Sequence, residues 1–261
     1  MSQVRRRHFL SAAAALAVLG VLSLFIQGSV AEAAEIRVIA NPGMKSVFEE
    51  LAPQFERMTG HRVLIQYGLM AQLKAPIDAG EFDVAISTGP VTDYLNKRGL
   101  TVPNTRTDIA RVGIGVSVRT GAPKPDISTV SAFKRALLNA KSISYTGGSA
   151  GGTYIAGMLE RLGIAEEMKP KTRILGGGGQ NPKAVAAGEV ELGLSVISDI
   201  LPVPGAELLG PLPGELQTYI VETAAVGIAS KEPQAAGALV KFLLAPAATP
   251  VFRAKGLEPM N

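Results

Sequence analysis

The sequence predicts an α/β fold of two lobes, with two crossover strands between the lobes and an interlobe cleft. Three observations predict it. From Glu35 onwards, short apolar runs of strand type alternate with segments of helical periodicity, which is typical of parallel sheets covered by helices. A second series of alternating strand-type and helical segments follows this first series. Two longer apolar segments, near 109–118 and 219–230, bracket that second series, as expected of strands that enter and leave an inserted lobe.

The first 33 residues have the three parts of an export signal. A basic start at 5–7 precedes an apolar run over 11–26, and small residues at 31–33 form a cleavage-site pattern. The apolar run is shorter than the ~20 residues of a membrane-spanning helix. The paired arginines, followed closely by Phe-Leu, are similar to a twin-arginine signal, and general secretion is the alternative. We expect a cleaved signal over 1–33 and a periplasmic protein.

Composition argues against several classes of function. Residues 1–33 carry three arginines and one glutamate, so without them the formal net charge falls from +4 to +2. No basic run of the kind that binds nucleic acid remains. The chain has no Cys, and its histidines are His8, inside the signal, and His61. Thiolate and sulfur metal sites are therefore excluded, and histidine-based metal sites and triads are disfavoured. We expect no metal and no cofactor.

The first series has three strand–helix pairs, whose order implies a parallel sheet with helices on both faces. Pro53 lies inside the first helical pattern, where it would kink or break the helix. Strands are predicted at EIRVIAN (35–41), HRVLIQYG (61–68) and FDVAIST (82–88), and helices at 47–58, 70–80 and 91–99.

The second series ends in a return to the first. Ser128 or Thr129 is the predicted N-cap of its first helix, and the C-terminal helices must pack back on the first unit. Lobe 1 is therefore predicted to comprise 34–115 and 222–261, with 116–221 inserted as lobe 2. Strands are predicted at 109–121, 141–147, 171–177, 190–198 and 217–230, and helices at 129–140, 152–163 and 181–189 with two more in 232–256. The Pro/Gly-rich stretch 202–216 is predicted to be a loop, with one short strand within it as the alternative.

Loops that follow the strands are the candidate ligand site, because open α/β sheets bind ligands beyond the carboxyl ends of their strands. Helix starts there offer unpaired N–H groups and a positive dipole end to an anion. The alternative is that each loop is a simple turn whose hydroxyls cap a helix. The loops that would converge are ANPGMKS (40–46), YGLMAQ (67–72), STGPVT (87–92) and GGSAGGTY (147–154), with LGGGGQN (175–181) and SVISD (195–199) nearby.

Neither glycine-rich loop is expected to bind a nucleotide. Gly152 is followed by Thr153 and Tyr154, whereas a P-loop needs Lys and then Ser or Thr after its last glycine. In GGGGQN the dinucleotide pattern is broken because Asn181 occupies its last position.

No catalytic constellation is evident from the sequence. Asp78, Glu81 and Asp83 are interpreted as solvated charges at a helix end and a strand start. Asp199, after Ser198 at a predicted helix start, is interpreted as a capping residue. His61 is expected at the surface. Lys45, at the start of the first helix, either neutralises an anionic ligand or is simply solvated.

Three segments resemble the molybdate-type substrate-binding proteins of ABC importers: VIANPGMKSVFEELAPQFERMTGHRVLIQYG (38–68), AGEVELGLSVISDI (187–200) and AVGIASKEPQAAGALVKFLLAPAATPVFRAKGLEPM (225–260). The resemblance covers nearly all of the chain after the predicted signal. It implies a type II periplasmic binding protein fold that closes on its ligand by hinge motion and delivers it to a membrane permease.

Departures from that family point to a different ligand. Gly43 stands where molybdate binders carry a serine, Leu69 and Met70 replace two serines of a Gly-Ser-Ser turn, and Val196 replaces a tyrosine. An oxyanion that is buried without these donors would lose much of its solvation energy. Backbone N–H groups at 43–45 and 151–153 could still serve. We therefore expect a small carboxylate with an apolar body more than molybdate itself.

The sequence thus predicts an exported, monomeric solute-binding protein without catalytic activity. Its expected partners are a small anion, either an oxyanion or a small carboxylate, and an ABC permease in the membrane, but no nucleic acid. A ligand-sensing module, a molybdate- or tungstate-binding protein and an enzyme are the alternatives. The predicted ligand-binding residues are Asn41, Gly43, Met44, Lys45, Gly68, Leu69, Met70, Ser87, Thr88, Ser149, Gly151, Gly152, Thr153, Tyr154, Ser195 and Ser198.

Overall fold

A computed structural model describes residues 33–177 and 179–260, so residues 1–32 of the predicted signal lie outside the described residues. The described chain alternates strands and helices in nearly the predicted order. The strands are β1 (Glu35–Ala40), β2 (Arg62–Tyr67), β3 (Val84–Thr88), β4 (Thr107–Arg119), β5 (Ile143–Thr146), β6 (Thr172–Leu175), β7 (Leu192–Val196), β8 (Ala206–Pro211), β9 (Tyr219–Val226) and β10 (Leu257–Pro259).

The helices occupy the segments between the strands and the C-terminal region. They are α1 (Lys45–Thr59), α2 (Lys74–Asp78), α3 (Gly89–Lys97), α4 (Val130–Asn139), α5 (Ala150–Arg161), α6 (Ala165–Met168), α7 (Gln180–Ala187), α8 (Ile197–Ile200), α9 (Pro233–Leu244) and α10 (Thr249–Ala254).

In the described part of the chain, ten strands form one sheet in the order β2-β1-β3-β9-β4-β7-β5-β6, and β8 and β10 also pair with β4. Strand β1 is parallel to β2 and β3, and β5 is parallel to β6 and β7. Strand β9 runs antiparallel to β3 and β4. The predicted parallel units are therefore present, and antiparallel β4 and β9 pass between them.

Two separate hydrophobic cores define the two lobes. The first core contains Phe48 and Phe55 of α1 together with Leu239 of α9 and Phe252 of α10. The second core is built from residues between Ile114 and Leu216. We call the parts of the chain around these cores the first and second lobes. They confirm the predicted two-lobed α/β fold, with the C-terminal helices on the first lobe.

Two local predictions have clear outcomes. Thr129 is the N-cap of α4, and its side-chain oxygen accepts a hydrogen bond from the Ala132 N–H at 3.1 Å. Pro53 lies inside α1, which nevertheless continues to Thr59. Since Pro53 is on the exposed face of that helix, water can satisfy the carbonyl that its missing N–H leaves without a partner.

The prediction that Asp83 is solvated is wrong. Its side chain is 1% exposed and accepts hydrogen bonds from the Arg37 N–H at 2.8 Å and the Arg37 Nε at 3.1 Å. It also accepts the Lys231 N–H at 3.3 Å. Burial by itself raises the pKa of Asp83, but the hydrogen bonds and charge of Arg37 outweigh it, so the pKa is lowered. Asp83 thus ties β1 to the start of β3 and the segment after β9.

Within the described ranges, no single helix is long and apolar enough to cross a membrane. Helix α9 and the segment Pro246–Ala254 satisfy that test of length and composition only as a pair, which is bent by 59° at its junction.

Replacing Asp83 by Asn should destabilise the first lobe. We expect a loss of roughly 1.5–3 kcal/mol at neutral pH, the range for hydrogen bonds to charged groups, measured by urea unfolding. Because the folded-state pKa of Asp83 lies below its unfolded value, its contribution is present above the unfolded pKa and is lost as the pH falls through the folded pKa. The difference from the unmodified protein should therefore shrink in acid. Asp78→Asn, at a surface pair with Arg98, is the control and should cost much less.

Candidate functional site

A cavity of about 120 Å³ lies between the two lobes, where strands of both lobes end. The first lobe contributes the residues after β1, β2 and β3, and the second lobe contributes the loop between β5 and α5 and the end of β7. One water needs roughly 10–15 Å³ of such space. The cavity is therefore large enough for a small organic molecule.

Most of the predicted site residues border this cavity, although their contact with a ligand stays a prediction. They come from four of the predicted loops and from β7. The eleven predicted residues that line it are Asn41, Gly43, Gly68, Leu69, Met70, Ser87, Thr88, Ser149, Gly151, Gly152 and Ser195.

The other five predicted residues lie elsewhere. Lys45 and Ser198 border an adjoining cavity of about 430 Å³, which shares Pro42, Gly68, Gly177 and Asp199 with the first. Met44 is fully buried in the first core, so its side chain is unavailable to a ligand.

Thr153 and Tyr154 line neither cavity in the described part of the chain. The Thr153 hydroxyl donates to the Ser149 carbonyl at 3.0 Å. The Tyr154 hydroxyl donates to the Leu216 carbonyl at 2.8 Å, and the Tyr154 ring lies 4.9 Å from the Arg161 guanidinium. These contacts hold both side chains along α5, away from the cavity.

The N-terminus of α5 offers two backbone donors to the cavity. Its N-cap, Ser149, accepts the Gly152 N–H on its hydroxyl at 2.9 Å and the Thr153 N–H on its carbonyl at 3.0 Å. Those two N–H groups are therefore used within the protein, which corrects the expectation that they face a ligand. The N–H groups of Ala150 and Gly151 have no hydrogen-bond partner among the described residues, and both residues border the cavity.

The glycine at 152 is required by packing rather than by a ligand. A Cβ at Gly152 would lie 1.8 Å from the Thr146 carbonyl oxygen, which no side chain could tolerate. A Cβ at Gly151 would meet only Val196 Cγ1, at 3.7 Å. Of these two glycines, Gly151 is the one whose missing side chain leaves space in the cleft.

Glu222, on β9, is a cavity residue that sequence reasoning missed. Its side chain is 4% exposed, and its carboxylate accepts a hydrogen bond from the Asn41 amide. Burial raises the pKa of Glu222 to about 7; the Asn41 hydrogen bond opposes that shift, and the Asp199 charge adds to it. The available signal was one acid inside an otherwise apolar strand, YIVETAAV.

Asp199 also faces the cavity, so its interpretation as a capping residue is wrong. Helix α8 has Val196 as its N-cap and makes no side-chain capping bond. The Asp199 carboxylate instead lies 3.4 Å from the Ser195 hydroxyl, which donates to it. Burial raises the pKa of Asp199 to about 6, against the effect of the Ser195 hydrogen bond. The cavity therefore holds two acids that change protonation near neutral pH.

Much of the cavity wall is apolar. The first lobe contributes Ile39, Leu73, Ile77 and Leu95, which belong to a small hydrophobic cluster beside the main core. Leu69 reaches the opposite lobe, since a Cβ on Gly177 would lie 3.1 Å from Leu69 Cγ. The cavity lining thus combines N–H and hydroxyl groups with aliphatic side chains.

We call the cavity of about 120 Å³ the main cavity. No Lys, Arg or His is found among the described residues that line it. Lys45 and Lys183 line the adjoining cavity. Lys45 is 62% exposed and lies 3.9 Å from Glu49. An anion in the main cavity must therefore be held by dipoles and hydrogen bonds rather than by a direct cation.

Two lobes that share strands and enclose a ligand-sized cavity at their strand ends define a two-lobed periplasmic binding protein. The chain belongs to the family of bacterial extracellular solute-binding proteins, whose family model matches residues 36–258. This confirms the resemblance to molybdate-type substrate-binding proteins.

Two relatives are similar over most of the chain. An aconitate isomerase from Pseudomonas sp. is 31% identical over 232 residues, covering 86% of this chain and 88% of the relative. The molybdate-binding protein of Azotobacter vinelandii is 30% identical over 240 residues, covering 87% and 90%. The solved structure of a periplasmic molybdate-binding protein of Azotobacter vinelandii superposes with a TM-score of 0.70 at 20% identity, covering 85% of this chain and 98% of that one. The fold is therefore shared with molybdate binders, and one relative is named as an enzyme.

Replacing Glu222 by Gln should make the unliganded protein more stable at high pH. A carboxyl whose folded-state pKa is raised contributes stability that is present below its unfolded pKa, 4.5 for Glu, and is lost as the pH rises through the folded value of about 7. Gln cannot ionise, so Glu222→Gln should resemble the unmodified protein near pH 4.5 and exceed it by about 2–3 kcal/mol near pH 8. Thermal unfolding across this pH range measures the effect.

The control is Glu160→Gln, on the exposed face of α5, which also removes one carboxylate. It should leave the pH dependence of stability unchanged. A Glu222→Gln protein that is less stable than the unmodified one at pH 8 would show that the ionised carboxylate is stabilising, contrary to this account.

Proposed function

We propose that this protein is an exported solute-binding protein that captures a small carboxylate in its interlobe cavity and delivers it to an ABC permease. Its family serves the ABC-type uptake of small anions. The observation that carries the ligand proposal is the mixed lining of the cavity. N–H and hydroxyl groups border it together with many aliphatic side chains, and no cation lines it among the described residues.

The size of the cavity favours an organic ligand over a tetrahedral oxyanion. Its ~120 Å³ corresponds to roughly eight to twelve water positions, whereas molybdate has five atoms and would fill only part of this volume. The residues that replace the family's polar contacts support the same conclusion. Leu69, Met70 and Val196 border the cavity but bring no side-chain donor.

A carboxylate with an apolar body fits this mixed lining. Its two oxygens can accept hydrogen bonds from the N–H groups of Ala150 and Gly151, at the positive end of the α5 dipole. Its carbon body can contact Leu73, Ile77 and Leu95. We propose that the protein acts in the periplasm as a monomer, with the membrane permease as its macromolecular partner.

A second candidate function is isomerisation of an unsaturated carboxylate. Two acids border the cavity, the buried Glu222 and the half-buried Asp199, with pKa values raised to about 7 and about 6. Such groups are suited to general acid–base catalysis near neutral pH. A relative at 31% identity is named an aconitate isomerase. In such a reaction one carboxylate removes a proton from one carbon, and a carboxylic acid returns a proton to another, so the double bond moves without any redox change.

Carboxylates should stabilise the protein, whereas molybdate should do so weakly or not at all. The panel is acetate, butyrate, succinate, citrate, cis-aconitate, trans-aconitate, molybdate and sulfate, measured by thermal shift. A ligand at a hundredfold excess over its Kd stabilises a protein by about 2.7 kcal/mol. Gly151→Leu should abolish the shift because the added side chain enters the cavity. Gly157→Leu, further along α5 and outside the cavity lining, is the matched control and should retain it.

A large shift with molybdate alone would overturn the carboxylate proposal. If no compound of the panel raises the unfolding temperature, both carboxylate capture and the isomerase candidate are overturned.

Binding without conversion is the outcome expected for a transport protein. The purified protein is incubated with a large molar excess of trans-aconitate, and the solution is followed by proton NMR. We expect no product beyond the stoichiometry of the protein. Sustained formation of cis-aconitate that is lost in Glu222→Gln and kept in Glu160→Gln would instead establish the isomerase candidate.

A further inference from the structure

We propose that Glu222 and Asp199 hold the proton with which the cavity binds its carboxylate ligand, so that ligand and proton are taken up together. This inference rests on the proposed capture of a carboxylate. It assigns a ligand-contacting role to two acids that are not among the ligand-binding residues predicted from the sequence. It also makes the choice of ligand depend on a hydrogen bond donated by a neutral carboxyl group.

Glu222 has the geometry of such a donor. It lies on β9 between Thr88 of β3 and Ala110 of β4, and its side chain is 4% exposed. Its Oε2 accepts the Asn41 amide hydrogen bond. No described residue hydrogen-bonds to its Oε1, although Glu222 borders the cavity. One carboxyl oxygen is therefore left for the contents of the cavity, and it can donate only when it is protonated.

A second observation, beside Asp199, also points to a polar ligand. The Ser198 hydroxyl is 2% exposed and has no hydrogen-bond partner within the described residues. Three oxygens surround the position that a Cβ on Gly43 would occupy: Asn41 Oδ1 at 3.3 Å, Ser198 Oγ at 3.5 Å and Asp199 Oδ1 at 3.7 Å. Buried polar groups in native proteins are almost always paired. This unpartnered hydroxyl beside Asp199 is thus consistent with a polar ligand or ordered water at this wall.

No cation faces Glu222 from the strands that flank it. Its neighbours on β3 and β4, Thr88 and Ala110, are uncharged, and Asn41 is a neutral amide. The titratable group that acts on it is Asp199, another acid.

The surrounding charges are engaged elsewhere. Arg106, near the start of α3, forms ion pairs with Asp93 and Asp108, each at 2.8 Å. Lys45 and Lys183 border only the adjoining cavity, which they share with Asp199. Two ionised carboxylates would repel an anion in the main cavity, whereas a protonated carboxyl donates a charge-assisted hydrogen bond to it.

The protonation equilibria support this assignment. Burial raises the pKa values of Glu222 and Asp199 to about 7 and about 6, so the pair titrates within the ordinary working range. The two groups interact, and the proton belongs to the pair rather than to one residue. A bound anion nearby would raise both pKa values further. Carboxylate binding should therefore take up a proton, and affinity should fall as the pH rises.

For a cationic ligand, the pH dependence of the affinity would have the opposite sign. An amine would bind the ionised carboxylates, release the proton and bind more tightly as the pH rises. The two free N–H groups at the start of α5 favour the anion, since a helix N-terminus repels a cation. The sign of the pH dependence therefore separates the two ligand classes.

The test is the pH dependence of affinity for the strongest binder of the carboxylate panel, measured by calorimetry from about pH 6 to about pH 8.5. For a required proton with a pKa near 7, the Kd should weaken about 10- to 30-fold across this range. Glu222→Gln carries a permanent neutral donor, so its Kd should change at most a few-fold. Near pH 8.5 it should bind more tightly than the unmodified protein. Glu160→Gln, on the exposed face of α5, should keep the original pH profile.

Calorimetry in two buffers of different ionisation enthalpy counts the protons directly. We expect uptake of between about half and one proton per ligand near pH 7.5, and much less in Glu222→Gln. A Kd that is independent of pH, with no proton uptake, would overturn this inference while leaving carboxylate capture intact. Affinity that rises with pH would also overturn it. If no carboxylate of the panel binds at any pH, the proposed function fails as well.

Discussion

The side-chain amide of Gln217 completes strand β4 at the point where the chain passes from one core to the other. Its Oε1 accepts the Ile114 N–H at 3.2 Å, and its Nε2 donates to the Ile114 carbonyl at 3.1 Å. Val112 belongs to the first core and Ile114 to the second. Both lobes are therefore built on one continuous strand. A β-strand alternates its side chains between two faces, so this strand fixes the relative placement of the two sets of strand ends that border the cavity.

Glu222 gains its importance from the same arrangement. It lies on β9, whose Tyr219–Val221 segment pairs with the middle of β4, and it is flanked by Thr88 of β3. Glu222 is desolvated because strands flank it on both sides and leave it 4% exposed. Its partner Asn41 comes from the loop after β1, and Asp199 comes from α8. The charge state of the cavity thus depends on elements far apart in the sequence, because none of them alone removes the carboxyl group from water.

The order of strands and helices was predictable because apolar periodicity is local. The loops that converge were predictable too, since parallel strands end at one edge of the sheet. Chemistry that depends on contacts between residues far apart in the sequence was not predictable. Asp199 fits a local capping rule, yet its environment is set by Ser195 and by Gly43 across the cleft. Tyr154 was expected in the site because of its neighbours in the chain, but its hydroxyl bonds a carbonyl 62 residues away. A lone acid in an apolar strand, as at Glu222, carries no periodic signal.

The polarity of the cavity explains why a shared fold need not mean a shared ligand. A tetrahedral oxyanion has oxygens on every side and needs donors on every side. Here the free N–H donors lie at one helix start, and the lining also contains the apolar Leu69 and Met70 and the acids Glu222 and Asp199. A carboxylate has its two oxygens at one end and carbon at the other, so it needs donors on one side only. The second oxygen of the ligand, or a second carboxylate, can approach Glu222 or Asp199. When one of these acids is protonated, it donates a hydrogen bond to the ligand instead of repelling it. The loss of serine donors and the presence of buried acids therefore belong to one adaptation of the site.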